Sequence, residues 1–283
     1  MIFYTSRPFF SRLFPVFAGL VLCLAMTTAS PPAAAGEDFA ATLRALSSGD
    51  QRSAGNIARN QYRHPVKTLL FFGLAPDSTV IELSPGGGWY TEIIAPAVNA
   101  TGHYIAAGYD PSAERERTRK AAARFAAKLA ARPDLYGGAT VRVFAPEKRP
   151  YGPPGSADLV LTFRNLHNWL APEMSKAVFA RAYQVLKPGG HFGFVDHRTT
   201  AARFRPKAHD GYVSEDYVKK AAAAAGFRFV AASEINANPK DTKDYAEGVW
   251  TLPPTLALKD KDRARYRAIG ESDRMTLLFV KPE

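Results

Sequence analysis

Three groups of residues in this chain are of types and spacings that could do chemistry. The first is Glu82-Leu83-Ser84-Pro85-Gly86-Gly87-Gly88-Trp89, in which an apolar run ends in an acid and then in a backbone turn without side chains. Glycines at such a turn let a ligand approach the main chain closely. The second is Arg164-Asn165-Leu166-His167, which closes another apolar run. His167 is a candidate general base, because an imidazole titrates near neutral pH. The third is Asp196-His197, a possible carboxylate-oriented imidazole. Neighbours on a strand face opposite ways, so these two pair only if the strand has already ended. All three are expected at strand ends, where open α/β sheets bind their ligands.

Two common readings of the glycine loop fail. Gly86-Gly87-Gly88-Trp89-Tyr90-Thr91 has Thr where the third Gly of a dinucleotide fingerprint belongs, which argues against a nicotinamide-dependent oxidoreductase. There is also no Gly-Lys-Ser/Thr phosphate loop. Cys23 is the only cysteine, so beyond the first residues there is no thiol nucleophile or cysteine metal site.

Apolar runs at Val80 to Leu83, His103 to Ala107, Thr140 to Phe144, Leu159 to Phe163, His191 to Val195, Phe227 to Ala232 and Met275 to Val280 predict seven strands. Helical stretches separate most of them: Tyr90 to Val98, Pro111 to Arg132, Pro172 to Leu186 and Glu215 to Ala225. That alternation predicts a mostly parallel sheet covered on both faces. Residues 233–274 carry no clear helix-length apolar pattern, so the last strand can enter antiparallel. Long loops of this kind are often lids. Trp250 is expected to cover the substrate pocket, with Glu271, Asp273 and Arg274 brought towards it.

The chain of 283 residues is 46% hydrophobic, enough for one sizeable core. Residues 1–35 read as a secretory signal peptide: Arg7 and Arg12, an apolar run from Phe14 to Ala29, then Ala33 and Ala35 before Gly36. The expectation is an exported chain, periplasmic or secreted, with no stable membrane span after cleavage. Its net charge of +11 would fall by two, to +9. Residues 36–65 are expected to form an N-terminal helical arm. Arg117, Lys120, Arg124 and Lys128 share a helix face with little aromatic interleaving, so a solvated face is expected and no nucleic-acid partner.

The Glu82 to Gly88 stretch resembles motif I of the class I S-adenosylmethionine (SAM)-dependent methyltransferases, acid-x-Gly-x-Gly-x-Gly, with Ser84 at the first Gly. Because Ser84 precedes Pro85, it is expected to be extended and the turn wider. "SADLVLTFRNLHNW" (156–169), "AYQVLKPGGHFGFVDHR" (182–198) and "AAAAAGFRFVAASE" (221–234) resemble later parts of that family in the same order. Ser-Pro-Gly-Gly-Gly-Trp-Tyr and Gly-Glu-Ser-Asp-Arg-Met-Thr are similar to the predicted methyltransferases of bacterial exported proteins.

The resemblance implies an α/β, Rossmann-like class I methyltransferase fold over residues 66–283: a seven-stranded, mostly parallel sheet with an antiparallel last strand. It implies SAM as cofactor. Glu82, Ser84, Gly86, Gly87 and Gly88 would meet its methionine end, Trp89 and Tyr90 could wall it, and Arg164 and Asn165 are further cofactor-binding candidates. The family acid that grips the ribose should stand where Gly108 is; Asp110 either serves instead or caps the next helix. Glu147 would lie by the adenine. His167, Asp196 and His197 are the catalytic candidates, acting on a small-molecule acceptor. The rival reading is a binding protein that has kept the fold and lost the transfer.

Overall fold

The computed structural model describes residues 1–3, 32–206 and 209–283. The signal-peptide segment lies largely outside them. The described chain starts in α1 (Pro32–Ser47), which runs through the expected cleavage point. It continues through α2 (Ala54–Ile57), α3 (Asn60–Arg63), α4 (Pro65–Phe71), β1 (Thr79–Leu83), α5 (Thr91–Val98), β2 (His103–Gly108) and α6 (Glu116–Ala130). Next come α7 (Pro133–Tyr136), β3 (Thr140–Val143), β4 (Ala157–Phe163), α8 (Pro172–Val185), β5 (Leu186–Thr199) and β6 (Val213–Ser214). The last elements are α9 (Glu215–Ala224), β7 (Arg228–Ser233), α10 (Arg263–Ile269) and β8 (Arg274–Val280). Among the described residues, no helix is long and apolar enough to cross a membrane.

The strands form one sheet in the order β3-β2-β1-β4-β5-β8-β7, with the two-residue β6 paired to β5. Pairings from β3 to β5 are parallel, while β8 runs antiparallel to both β5 and β7. The seven expected strands are all present, and β6 is an eighth that a two-residue run does not announce. Strand order reverses between β1 and β4, so the crevice outside their carboxyl ends is the natural ligand position.

Central strands are buried on both faces, which explains why they read as continuous apolar runs; all seven residues of β8 are buried. On one face Val178, Phe179 and Ala182 of α8 and Val218 and Ala222 of α9 pack against Val160, Phe192 and Phe279. On the other, Ile93, Ile94 and Val98 of α5 join Leu43 of α1 and Leu69 of α4 over Val80, Tyr104 and Leu161. The arm is thus part of the core. Phe72, just after α4, lies so close to β5 that a Cβ at Gly193 would fall 2.5 Å from its ring. Pro96 inside α5 cannot donate to the carbonyl of Glu92; Gln51 Nε2 does so instead, at 3.1 Å. The arm therefore mends the helix that follows the glycine loop.

Two expected elements are corrected. The basic helix starts at Glu116, not Pro111, because Arg115 is extended and Asp110 closes its own turn on Ser112. β5 starts at Leu186, so Pro188-Gly189-Gly190 lies within the strand rather than before it. Residues 233–274 are pinned rather than loose. The Asp241 carboxylate accepts from Tyr212 Oη at 2.9 Å and from the amide of Asp273 at 2.8 Å.

Candidate active site

The turn after β1 is made by backbone. Ser84 donates its N–H to the carbonyl of Ala107 at 2.8 Å and takes φ +49°. The extended geometry expected of it is therefore wrong. The strand ladder holds its amide while the chain must turn at once toward α5, and the left-handed region makes that turn. Gly86 and Gly88 follow at φ +61° and +82°. A Cβ at Gly86 or Gly87 would meet nothing within 4 Å, whereas at Gly88 it would touch Phe125 at 3.2 Å. Gly88 is thus a packing glycine, and Gly86 and Gly87 present bare main chain to open space.

That space lies on both sides of the loop. One cavity, of about 250 Å³, is lined by Arg59, Arg63, Glu82, Ser84, Trp89, Arg164 and Asn165, with Gly86 and Gly87. The other, of about 760 Å³, is lined by Tyr109, Arg117, Arg124, Lys128 and Asn168 with the same two glycines. Arg117, Arg124 and Lys128 face this hollow, so the helix face expected to be merely solvated forms one of its walls.

Glu82 points from β1 into the core, and its Oε2 accepts from Tyr104 Oη at 2.5 Å and Thr91 Oγ1 at 2.9 Å. It therefore anchors the start of α5 through side chains rather than through loop amides. Burial pushes its carboxyl up to about 7, against the lowering pull of Tyr104, Thr91 and Lys128. Thr91, which breaks the dinucleotide fingerprint, is needed for this contact. Asn165 donates to the carbonyls of Leu83 at 3.1 Å and Ser84 at 3.3 Å, clamping the end of β4 to that of β1. Trp89 lies between two guanidinium groups, Arg52 at 4.4 Å and Arg63 at 4.6 Å from its ring.

Asp196 and His197 do not form an imidazole–carboxylate pair. β5 continues to Thr199, so the two side chains diverge. Asp196 meets His167 instead: Oδ1 lies 3.2 Å from His167 Nδ1, and Oδ2 accepts the amide of Leu166 at 2.7 Å. Asp196 is fully buried. In the tautomer that donates from Nδ1 to Asp196, His167 Nε2 is an acceptor, next to the exposed Asn168 amide at 3.1 Å. His197 turns its Nδ1 to Ser272 at 2.5 Å. Burial holds the His197 imidazole well below its ordinary pKa, with His167 and the guanidinium groups of Arg164, Arg274 and Arg63 adding to the effect. Trp250, from the segment before β8, reaches His167 with ring centres 6.0 Å apart.

His167, Asp196 and His197 hold potential ligand atoms within 4.8 Å of one another, the spacing a metal ion would need. The same three guanidinium groups that depress His197 also oppose a cation there. Asp110 spends its carboxylate on Ser112, at 2.8 Å from the amide and 2.7 Å from the hydroxyl, and lines neither hollow. Glu147 is exposed and lines neither. The arm at Arg59 to His64, which the sequence suggests could close one side of the site, supplies Arg59 and Arg63 to the cavity wall, and Glu271 takes a role the sequence does not announce. In the fold Glu271 accepts from Arg59 Nε at 2.5 Å, Arg63 Nε at 3.3 Å and Arg274.

Comparison with known proteins agrees with this geometry. Residues 81–194, from β1 to β5, match the family described as "Methyltransferase domain". No curated protein matches the chain in sequence. Among solved structures, a SAM-dependent methyltransferase from Aquifex aeolicus is similar with a TM-score of 0.53 at 16% identity, over 86% of this chain and 98% of that one. The [4+2]-cyclase SpnF gives 0.55 at 13% identity, over 87% and 94%. The glycopeptide N-methyltransferase MtfA complexed with sinefungin gives 0.52 at 15%, over 78% and 94%. At these identities the likeness shows the fold: the chain has the Rossmann-like methyltransferase architecture.

Proposed function

We propose that this protein is an exported SAM-dependent methyltransferase acting on a small-molecule acceptor. One observation carries the reading: at the point where strand order reverses, the bare main chain of Gly86 and Gly87 opens on both sides into hollows, beside an imidazole held by a buried carboxylate. The matched domain and the solved methyltransferases of the same fold support SAM as the cofactor. Ser84 to Gly87, Trp89 and Asn165 would hold it. When bound, it supplies an electrophilic methyl group on a sulfonium.

The chain's own residues do the rest. The acceptor's O–H or N–H gives its proton to His167 Nε2, with the Asn168 amide moving aside, and Asp196 stabilises the imidazolium that forms. Trp250 and the pinned segment around it exclude water from that side. Export rests on Arg7, Arg12, the apolar run and the small residues before Gly36; the amino-terminal sequence of the protein recovered outside the cytoplasm would test it, with Gly36 the expected first residue.

Calorimetric titration with SAM and S-adenosylhomocysteine tests the function. Micromolar binding of both is expected, and silence towards both would overturn the reading. A second reading, a fold that binds another ligand without methyl transfer, has one observation in its favour. No acid stands at Gly108 to grip a ribose, and Asp110 is engaged elsewhere. The cyclase among the similar structures carries the same architecture under a name other than methyltransferase. Copurification of a different ligand, with no affinity for S-adenosylhomocysteine, would favour it.

A further inference from the structure

Four guanidinium groups share one carboxylate in the smaller cavity and behind it. Glu271 accepts from Arg59, Arg63 and Arg274, and Arg164 joins them without a side-chain hydrogen bond or ion pair among the described residues. Asp196 is the next acid, already bonded by two backbone amides and His167. Glu82 also lines the cavity, and the four arginines outnumber the acids even when all three are counted as charged. Three of the cations also have unused donors: Arg59 Nη2, Arg63 Nη2 and Arg274 Nε are buried without a hydrogen-bond partner among the described residues. Burying a charge is costly unless it is paired and its donors are satisfied. Burial and the neighbouring Arg274 together bring the Arg164 guanidinium down to about 10.

Arg59, Arg63 and Arg164 line the same cavity as Ser84 to Gly87. Arg164 directly follows β4, three residues before the imidazole that faces Asp196, and its amide is fixed to the carbonyl of Val195 at 2.7 Å. Resting on the methyltransferase reading above, we propose that Arg63 and Arg164, with Arg59 beside them, receive an anionic group of the methyl acceptor. The acceptor is then a small molecule carrying a carboxylate or a phosphate, which the planar guanidinium fork binds well. Held there, it presents its nucleophile to His167. The carboxylate of SAM has the same chemistry, so the test must separate the two sources.

The test is calorimetry on the full protein, with inorganic phosphate as probe after saturation by S-adenosylhomocysteine. Saturable phosphate binding is expected, weakened at least about tenfold in Arg164→Gln, with S-adenosylhomocysteine affinity in that variant within about twofold of the wild type. The variant should also melt no lower than the wild type without phosphate, since it removes an unpaired cation; a merely structural arginine would lower the melting temperature. Arg63→Met serves as a second variant, with the same loss of phosphate binding. If the saturated wild type ignores phosphate while Arg164→Gln loses S-adenosylhomocysteine, the anion is the cofactor's and this proposal falls with the methyltransferase reading intact. If the wild type binds phosphate but not S-adenosylhomocysteine, the methyltransferase reading is what fails, and the proposal that rests on it goes too.

Discussion

Replacing Glu82 with glutamine should remove one contribution to stability that the protein loses as pH rises toward neutrality. The Glu82 carboxyl is buried between Tyr104 and Thr91, and desolvation moves it from 4.5 to about 7. Between those values the unfolded chain has lost this proton and the folded chain still holds it, so stability falls as pH rises. A pKa unit is worth about 1.4 kcal/mol, and two to three units give a loss of about 3 kcal/mol from this one group, complete once pH passes the folded value. The amide in Glu82→Gln has no such proton to lose. Urea unfolding of both proteins at several values between about pH 4.5 and about pH 8 isolates the effect, because every other titrating group is common to both. The gap between the two stability curves should move by about 3 kcal/mol in favour of the variant as pH rises. Parallel curves would refute the reasoning: Glu82 would then be an ordinary carboxylate, ionised in both states, and the dry pocket assigned to it would be wrong.

Gly86→Val should abolish S-adenosylhomocysteine binding while leaving the circular dichroism spectrum unchanged; its stability cost is about 1–2 kcal/mol from forcing a branched residue to positive φ, and retained affinity would refute the placement of the ligand. His167→Ala should lower turnover by about 10²–10⁴-fold with little change in cofactor affinity, as read by isotopic methyl incorporation once an acceptor is known. Glu271→Gln leaves Arg63 and Arg274 buried without their carboxylate and should cost about 3–5 kcal/mol in thermal or urea unfolding. Asp110→Ala should change S-adenosylhomocysteine affinity less than about twofold, because that carboxylate is committed to Ser112; a larger calorimetric loss would restore Asp110 as the ribose ligand.

The fold was legible wherever burial on both faces writes itself as an apolar run. Val80 to Leu83, Leu159 to Phe163 and Met275 to Val280 needed no context to be read as strands. What could not be read was where one local rule yields to another. Asp110-Pro111-Ser112 looks like a helix start, but a short side chain bonding its own turn satisfies the same signal. Pro188-Gly189-Gly190 stops α8 as expected, yet β5 has already begun two residues earlier, because the parallel ladder extends back to Leu186. Ser84 before Pro85 should be extended by local sterics alone; a hydrogen bond to a neighbouring strand overrides that preference.

The site divides in the same way. Its bare loop and its imidazole lie within short segments, and such segments advertise themselves. Its electrostatics do not, because charge balance is a property of distances that the sequence leaves open. Arg59 and Glu271 are 212 residues apart, and nothing in either neighbourhood says that they meet. The hint that did exist was negative. Arg164 sits between apolar β4 and a loop, with no acid within reach along the chain. An arginine whose local sequence offers no partner must either reach solvent or be answered by tertiary structure or a ligand. Here the fold answers it with three more arginines and one shared glutamate, at the wall of an open cavity. An anion that bound this cluster in the folded state alone would add to the protein's stability, so the melting temperature should rise with its concentration.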